Sequence, residues 1–213
     1  VSDDVKGMIS DLNTPKNSYP SLEIGLIGRH QLDNAATAVG AVEALGYTGT
    51  NIKKSAIYSG LKAARWPGRL EILHEKPTVL IDGAHNIAGI KTLRYTLEQY
   101  FHDKKKILVL GILEDKDYKE MLKDIVPAAD IIISTAPENP RALPAVVLSE
   151  IIVDLFDDTV LREDVEDAGI GEKVCSDTSI KVYAKEKIED AVDLAYNLAS
   201  AEDMIVFAGS LYM

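Results

Sequence analysis

Apolar residues along this chain follow two different periods. Between positions 31 and 45, Ala35, Ala38, Val39, Val42 and Leu45 recur at the spacing of a helix face, and Gly46 suits a helix stop. A second helix is expected over 51 to 63, with Ile52, Ala56, Ile57, Gly60 and Leu61 along one side. Ahead of them "LEIGLIG" reads as a strand. The first 22 residues scatter apolar side chains among Pro, Asn and Ser, as loops with one or two short edge strands do.

After Trp66-Pro67-Gly68 the pattern becomes a regular alternation. Strands are expected at 69–73, 78–82, 107–110, 131–135, 180–183 and 204–209, and helices at 87–101, 118–126, 144–156 and 188–199. "KILVLGI", "DIIIST" and "MIVFAGS" are almost continuously apolar, the mark of strands buried on both faces. The fold class that follows is α/β, with a doubly wound, mostly parallel sheet.

Such sheets bind ligands outside the carboxyl ends of their strands. Those ends read "DGAHN" (82–86), "GILEDKD" (111–117), "TAPENPR" (135–141) and "AGSLY" (208–212), which lines up Asp82, His85, Lys116, Asp117, Arg141 and Ser210 on one edge. Plainer readings compete with a chemical one. Asn86 can simply cap the next helix, Asp115 and Asp117 can cap the helix at Tyr118, Lys116 can be a solvated charge, and Asn139-Pro140-Arg141 can be a turn. The acidic stretch 157–177 reads as a solvated helix-and-loop insertion, without the ligand spacing of a calcium loop. Cys175 lies in a polar context that gives no reason for reactivity.

Charge narrows the partners. With 34 acidic against 23 basic side chains the net charge is −11, which disfavours nucleic acid and anionic membrane surfaces. Anionic ligands then need local positive groups. A single cysteine excludes an internal disulfide, no Cys/His spacing suits zinc, and no apolar run is long enough to span a membrane, so a cytoplasmic setting is expected. The sequence contains no G-x-x-x-x-G-K-[ST] phosphate loop, no G-x-G-x-x-G after its first strand and no G-x-S-x-G elbow. The chain starts at Val1, which raises the expectation of an upstream part.

Four motifs occur in one order: "GRHQLDNAATAVGAVEAL" (28–45), "ARWPGRLEIL" (64–73), "VLIDGAHNIAG" (79–89) and "FAGSLYM" (207–213), supported by "GILEDKDYKEML" and "STAPENPRAL". Together they resemble the folylpolyglutamate synthase and dihydrofolate synthase family of the Mur ligase superfamily, from about Gly25 to Met213. The resemblance implies that 1–65 is the tail of a central ATPase domain, a strand and helical hairpin, and that 66–213 is a Rossmann-like Mur ligase carboxyl-terminal domain. It implies an ATP-dependent ligase that turns a carboxylate of a folate or dihydropteroate into an acyl phosphate, which the amine of L-glutamate attacks.

By the same resemblance Asn34, Arg69 and Asp82 match ATP contacts, His85 and Ser210 match glutamate contacts, and Asp82 and His85 are the candidate catalytic pair. An arginine fork suits phosphate, and a donor at His85 suits a carboxylate. Mg2+ would be held mainly by the part bearing the phosphate loop. Taken alone this chain is then expected to be inactive, and the enzyme to be a cytoplasmic monomer that binds neither nucleic acid nor membrane. Three competing readings are another Mur-type amino-acid ligase, a non-catalytic nucleotide-binding or small-ligand module, and an oxidoreductase domain. The "HQ-x-x-N", "WPGR" and "DGAHN" wording argues against the first, and the missing glycine fingerprint against the last.

Overall fold

The computed structural model describes residues 2–4, 7–156, 160–162 and 180–210. The chain divides into two compact units, 1–70 and 71–213.

Unit one is an antiparallel sheet with two helices against it. Strands β1 (Ser2–Asp4), β2 (Gly7–Asn13) and β3 (Ser18–Ile24) pair in sequence order. The opening residues thus form a three-stranded sheet where loops with one or two edge strands were expected. The reason is an alternation interrupted by turn residues: Met8, Tyr19, Leu22 and Ile24 are buried while their neighbours face water. Pro20 is tolerated because β3 is, among the described residues, an edge strand, where its missing N–H interrupts no further ladder. Helices α1 (His30–Leu45) and α2 (Lys54–Ala63) cover one face, where Val39 and Ile57 meet Tyr19 and Leu22, and Ala35 meets Met8 and Ile24. Helix α2 begins three residues later than the apolar spacing predicts.

Unit two is the α/β sheet. It contains β4 (Glu71–Glu75), β5 (Thr78–Ile81), β6 (Lys106–Leu110), β7 (Ile131–Ser134), β8 (Val160–Arg162), β9 (Ile180–Ala184) and β10 (Met204–Ala208), ordered β4-β5-β10-β6-β7-β9-β8. Only β4 runs antiparallel; the other six are parallel, as a doubly wound sheet requires. Strand β4 starts two residues later than expected because Trp66–Arg69 is a turn, closed by Arg69 N donating to Trp66 O at 3.2 Å, and Leu70 has a positive φ of 46°. Strand β8 falls inside the stretch expected to be a solvated insertion and pairs with β9; the remainder of that stretch, and Cys175, lie outside the described residues.

Helices α3 (Ile87–Tyr100), α4 (Tyr118–Ile125) and α5 (Ala145–Leu155) connect strands that advance across the sheet, whereas α6 (Ile188–Leu198) leads from β9 back to β10. Right-handed crossovers put connections of opposite direction on opposite faces. Helix α6 accordingly packs Ala191 and Ala195 on Val79, Ile107, Val109, Ile131, Ile133 and Ile205. The alternate residues Leu80, Leu108, Leu110, Ile132 and Val206 are equally buried, so the strands are apolar on both sides.

Candidate active site

Strand β5 ends at Ile81, and the next residue has its backbone tied to a neighbouring strand: Asp82 N donates to Phe207 O at 3.0 Å. Asp82 is only 7% exposed, and its Oδ1 accepts from Ala84 N at 2.9 Å, closing a tight turn. His85 is half-buried, with Nδ1 2.7 Å from the Gly83 carbonyl oxygen. A carbonyl can only accept, so Nδ1 carries the hydrogen and Nε2 is the ring atom left for a ligand. Asn86 caps α3, its Oδ1 accepting from Gly89 N at 2.8 Å. Capping and turn formation are therefore divided within "DGAHN": Asn86 starts the helix, and Asp82 and His85 shape the loop before it.

The exit of β10 is pinned against this loop. Gly209 N donates to Ala84 O at 3.0 Å, and Gly111 N to Ala208 O at 3.3 Å. Gly209 has φ 107°, and a Cβ there would stand 2.4 Å from Gly111 O, so only glycine fits. Ser210, the next residue, is buried beside the Asp82–His85 turn.

The neighbouring strand ends form a separate polar group. Glu114 N donates to Arg141 O at 2.7 Å and Leu143 N to Ile112 O at 2.9 Å, joining the loops after β6 and β7. Arg141 Nη1 lies 3.1 Å and Lys116 Nζ 3.5 Å from Asp115 Oδ2. Asp115 thus holds two cations and does not cap α4, and Asp117 stands at the cap position without a side-chain capping hydrogen bond. Capping by these two aspartates is corrected: the pull of Arg141 and Lys116 keeps Asp115 in the loop. The cations of this loop are partly neutralised by their own neighbour, which weakens them as anion holders.

The other predicted residues belong to unit one. Asn34 is exposed on the first turns of α1, and its Nδ2 donates to Gln31 Oε1 at 2.9 Å. Gln31 is buried, and its Nε2 lies 3.0 Å from His30 Nε2. Arg69 sits exposed in the Trp66 turn, within electrostatic reach of His30. Burial, and then the Arg69 charge, push the His30 pKa below its ordinary value, with Asp33 opposing. Asp82, His85 and Ser210 are thus gathered at one strand-end corner of unit two, and Asn34 and Arg69 on unit one around His30 and Gln31. His30 and Gln31 were not singled out from the sequence; the only signal was their place in "RHQLDN". Among the described residues no group of three or more His, Cys, Asp or Glu side chains could hold a metal ion.

Residues 68–211 match the family described as Mur ligase, glutamate ligase domain. The chain belongs to that family. Over nearly its whole length the chain is 31% identical, across 200 residues, to a dihydrofolate synthase/folylpolyglutamate synthase of Bacillus subtilis, covering 93% of this chain and 41% of that protein. A Mycobacterium tuberculosis enzyme of the same description is 32% identical, over 91% of this chain and 36% of its own length. Among solved structures, the Mycobacterium tuberculosis folylpolyglutamate synthase complexed with ADP and AMPPCP superposes with a TM-score of 0.79 at 29% identity, covering 99% of this chain and 44% of that one. The chain therefore spans about two fifths of the length of the relatives it matches. Unit two is the glutamate ligase domain almost to the residue, and its strand-end corner carries Asp82, His85 and Ser210. No helix among the described residues is long and apolar enough to cross a membrane.

Proposed function

We propose that this chain is part of an ATP-dependent carboxylate–amine ligase that adds L-glutamate to folates, with dihydropteroate as a second acceptor. The observation that carries the reading is the Asp82–His85 turn, locked to β10 beside Ser210, at the ligand edge of a glutamate ligase domain.

The acceptor's carboxylate oxygen attacks the terminal phosphorus of ATP, releasing ADP. The glutamate amine, having lost a proton, attacks the acyl carbon; the C–O bond breaks and phosphate leaves with the bonding pair. Two anions have to be brought together, so positioning and charge compensation are the main tasks. His85 suits the second substrate. With Nδ1–H given to Gly83, Nε2 is the ring nitrogen left for a substrate, and when protonated it donates to a glutamate carboxylate. Asp82 suits the ammonium of the same substrate, and Ser210 its remaining polar atoms. Asn34 and Arg69, on unit one, suit the base and phosphates of the nucleotide.

The decisive experiment supplies the full-length protein with ATP, L-glutamate and either tetrahydrofolate or dihydropteroate. ADP release and a product heavier by one glutamyl residue are expected. ATP binding with no product from either acceptor would sink the folate-ligase reading.

A further inference from the structure

We propose that His30 and Gln31 form a positioning relay that fixes which way the Asn34 amide faces, and so sets a preference for adenine over guanine nucleotides. The inference rests on the assignment of Asn34 to the nucleotide base.

Gln31 is 8% exposed, and both ends of its amide are used. Oε1 accepts from Asn34 Nδ2, and Nε2 meets His30 Nε2. An amide nitrogen only donates, so His30 Nε2 accepts and the hydrogen of the neutral ring lies on Nδ1. Nδ1 is buried without a hydrogen-bond partner, against Gly28, where a Cβ would stand 2.9 Å from it. A buried donor without an acceptor costs free energy, and such groups gather where function holds them.

Imidazole, glutamine and asparagine form a chain with two self-consistent polarities. In the one observed, Asn34 keeps Oδ1 and one N–H for a ligand. That pair complements the N6–H donor and N7 acceptor of adenine. In the reversed polarity His30 Nε2–H donates to Gln31 Oε1, Gln31 Nε2 donates to Asn34 Oδ1, and Asn34 keeps both N–H groups for a ligand while Oδ1 is turned to Gln31, which suits the two acceptors of guanine, O6 and N7. Protonation of His30 would impose the reversed polarity. Burial and the Arg69 charge act against that, Asp33 for it, and the balance favours the neutral ring.

Two measurements on the full-length protein test the relay. Long-range 1H–15N correlation of His30 should show the neutral Nδ1–H tautomer, and an Nε2–H tautomer would overturn the proposal without any variant having to fold. Titration calorimetry should show ATP bound more tightly than GTP, with that ratio falling on the order of tenfold in Gln31→Leu while the thermal midpoint stays within a few degrees. An unchanged ratio overturns the relay. The ratio is read by binding alone, so a protein that prefers ATP yet adds no glutamate overturns the ligase assignment and not the relay.

Discussion

At the scale of single residues, the proposed glutamate contact at the strand-end corner rests on the one ring atom of His85 that the loop does not use. His85 gives Nδ1–H to Gly83, so truncation to alanine removes that loop bond together with whatever Nε2 does for a ligand. A hydrogen bond to a charged group is worth about 1.5–3 kcal/mol. His85→Ala should therefore raise the KM for glutamate by roughly 10- to 100-fold and leave the KM for ATP near its starting value. A fall in kcat with the glutamate KM unchanged would remove His85 from the glutamate contact. His30 carries a pH signature of its own. Its pKa is lowered by burial and by Arg69, so the neutral ring persists to more acid conditions than the ordinary value of about 6.5. The ATP-over-GTP preference should hold at neutral pH and decline only under conditions more acid than those that protonate an ordinary histidine. Asp82 and His85 were legible in "DGAHN" because strand ends in this fold class face ligands; the part played by His30 and Gln31 was not, because hydrogen-bond polarity along a helix face leaves no trace in residue order.

At the scale of elements, three contacts decide how the segments are held. Gly209 lets β10 pass close to β6, and Gly209→Ala would set a Cβ 2.4 Å from Gly111 O at a φ of 107°. A loss on the order of 1–3 kcal/mol is expected, read as a lower urea midpoint with an unchanged slope. Asn86→Ala removes the α3 cap and should cost about 1 kcal/mol. In unit one, Glu43 Oε1 on α1 accepts from Asn17 Nδ2 at 2.7 Å, Tyr19 Oη at 2.9 Å and Thr14 Oγ1 at 3.0 Å, pinning the helix to the β2–β3 hairpin. The bond from Asn17, followed by those from Thr14 and Tyr19, holds the Glu43 pKa below its ordinary value despite partial desolvation. The folded state binds this proton more weakly than the unfolded one. The stabilisation is therefore complete above the ordinary carboxylate range and is lost as pH falls through the lowered value. Unit one of the native protein should lose thermal stability between about pH 5 and about pH 3, and Glu43→Gln should flatten that slope.

At the scale of the whole molecule, two units with separate cores each carry part of the predicted chemistry. The sequence has no phosphate loop of the G-x-x-x-x-G-K-[ST] kind, and the described residues hold no metal cluster. This chain supplied with ATP, glutamate and a folate is expected to release no phosphate above background. Turnover by it would place the activating groups among its own residues. The near-continuous apolar runs "KILVLGI", "DIIIST" and "MIVFAGS" were readable as β6, β7 and β10 because burial on both faces demands it. The three-stranded sheet of unit one was not, since Pro20, Ser21 and the turn at 14–17 break its alternation.

Residue order by itself determined the α/β class, the parallel strands and the placing of Asp82, His85 and Ser210 at strand ends, because periodicity and strand-end chemistry are local properties. Only the tertiary structure decided that β10 lies between β5 and β6, that Gly209 brings Ser210 against the Asp82 turn, and that Asp115 holds Arg141 and Lys116. Those facts depend on which distant segments pair and which donor faces which acceptor, and neither is set until the sheet has formed and water has been excluded from its edge.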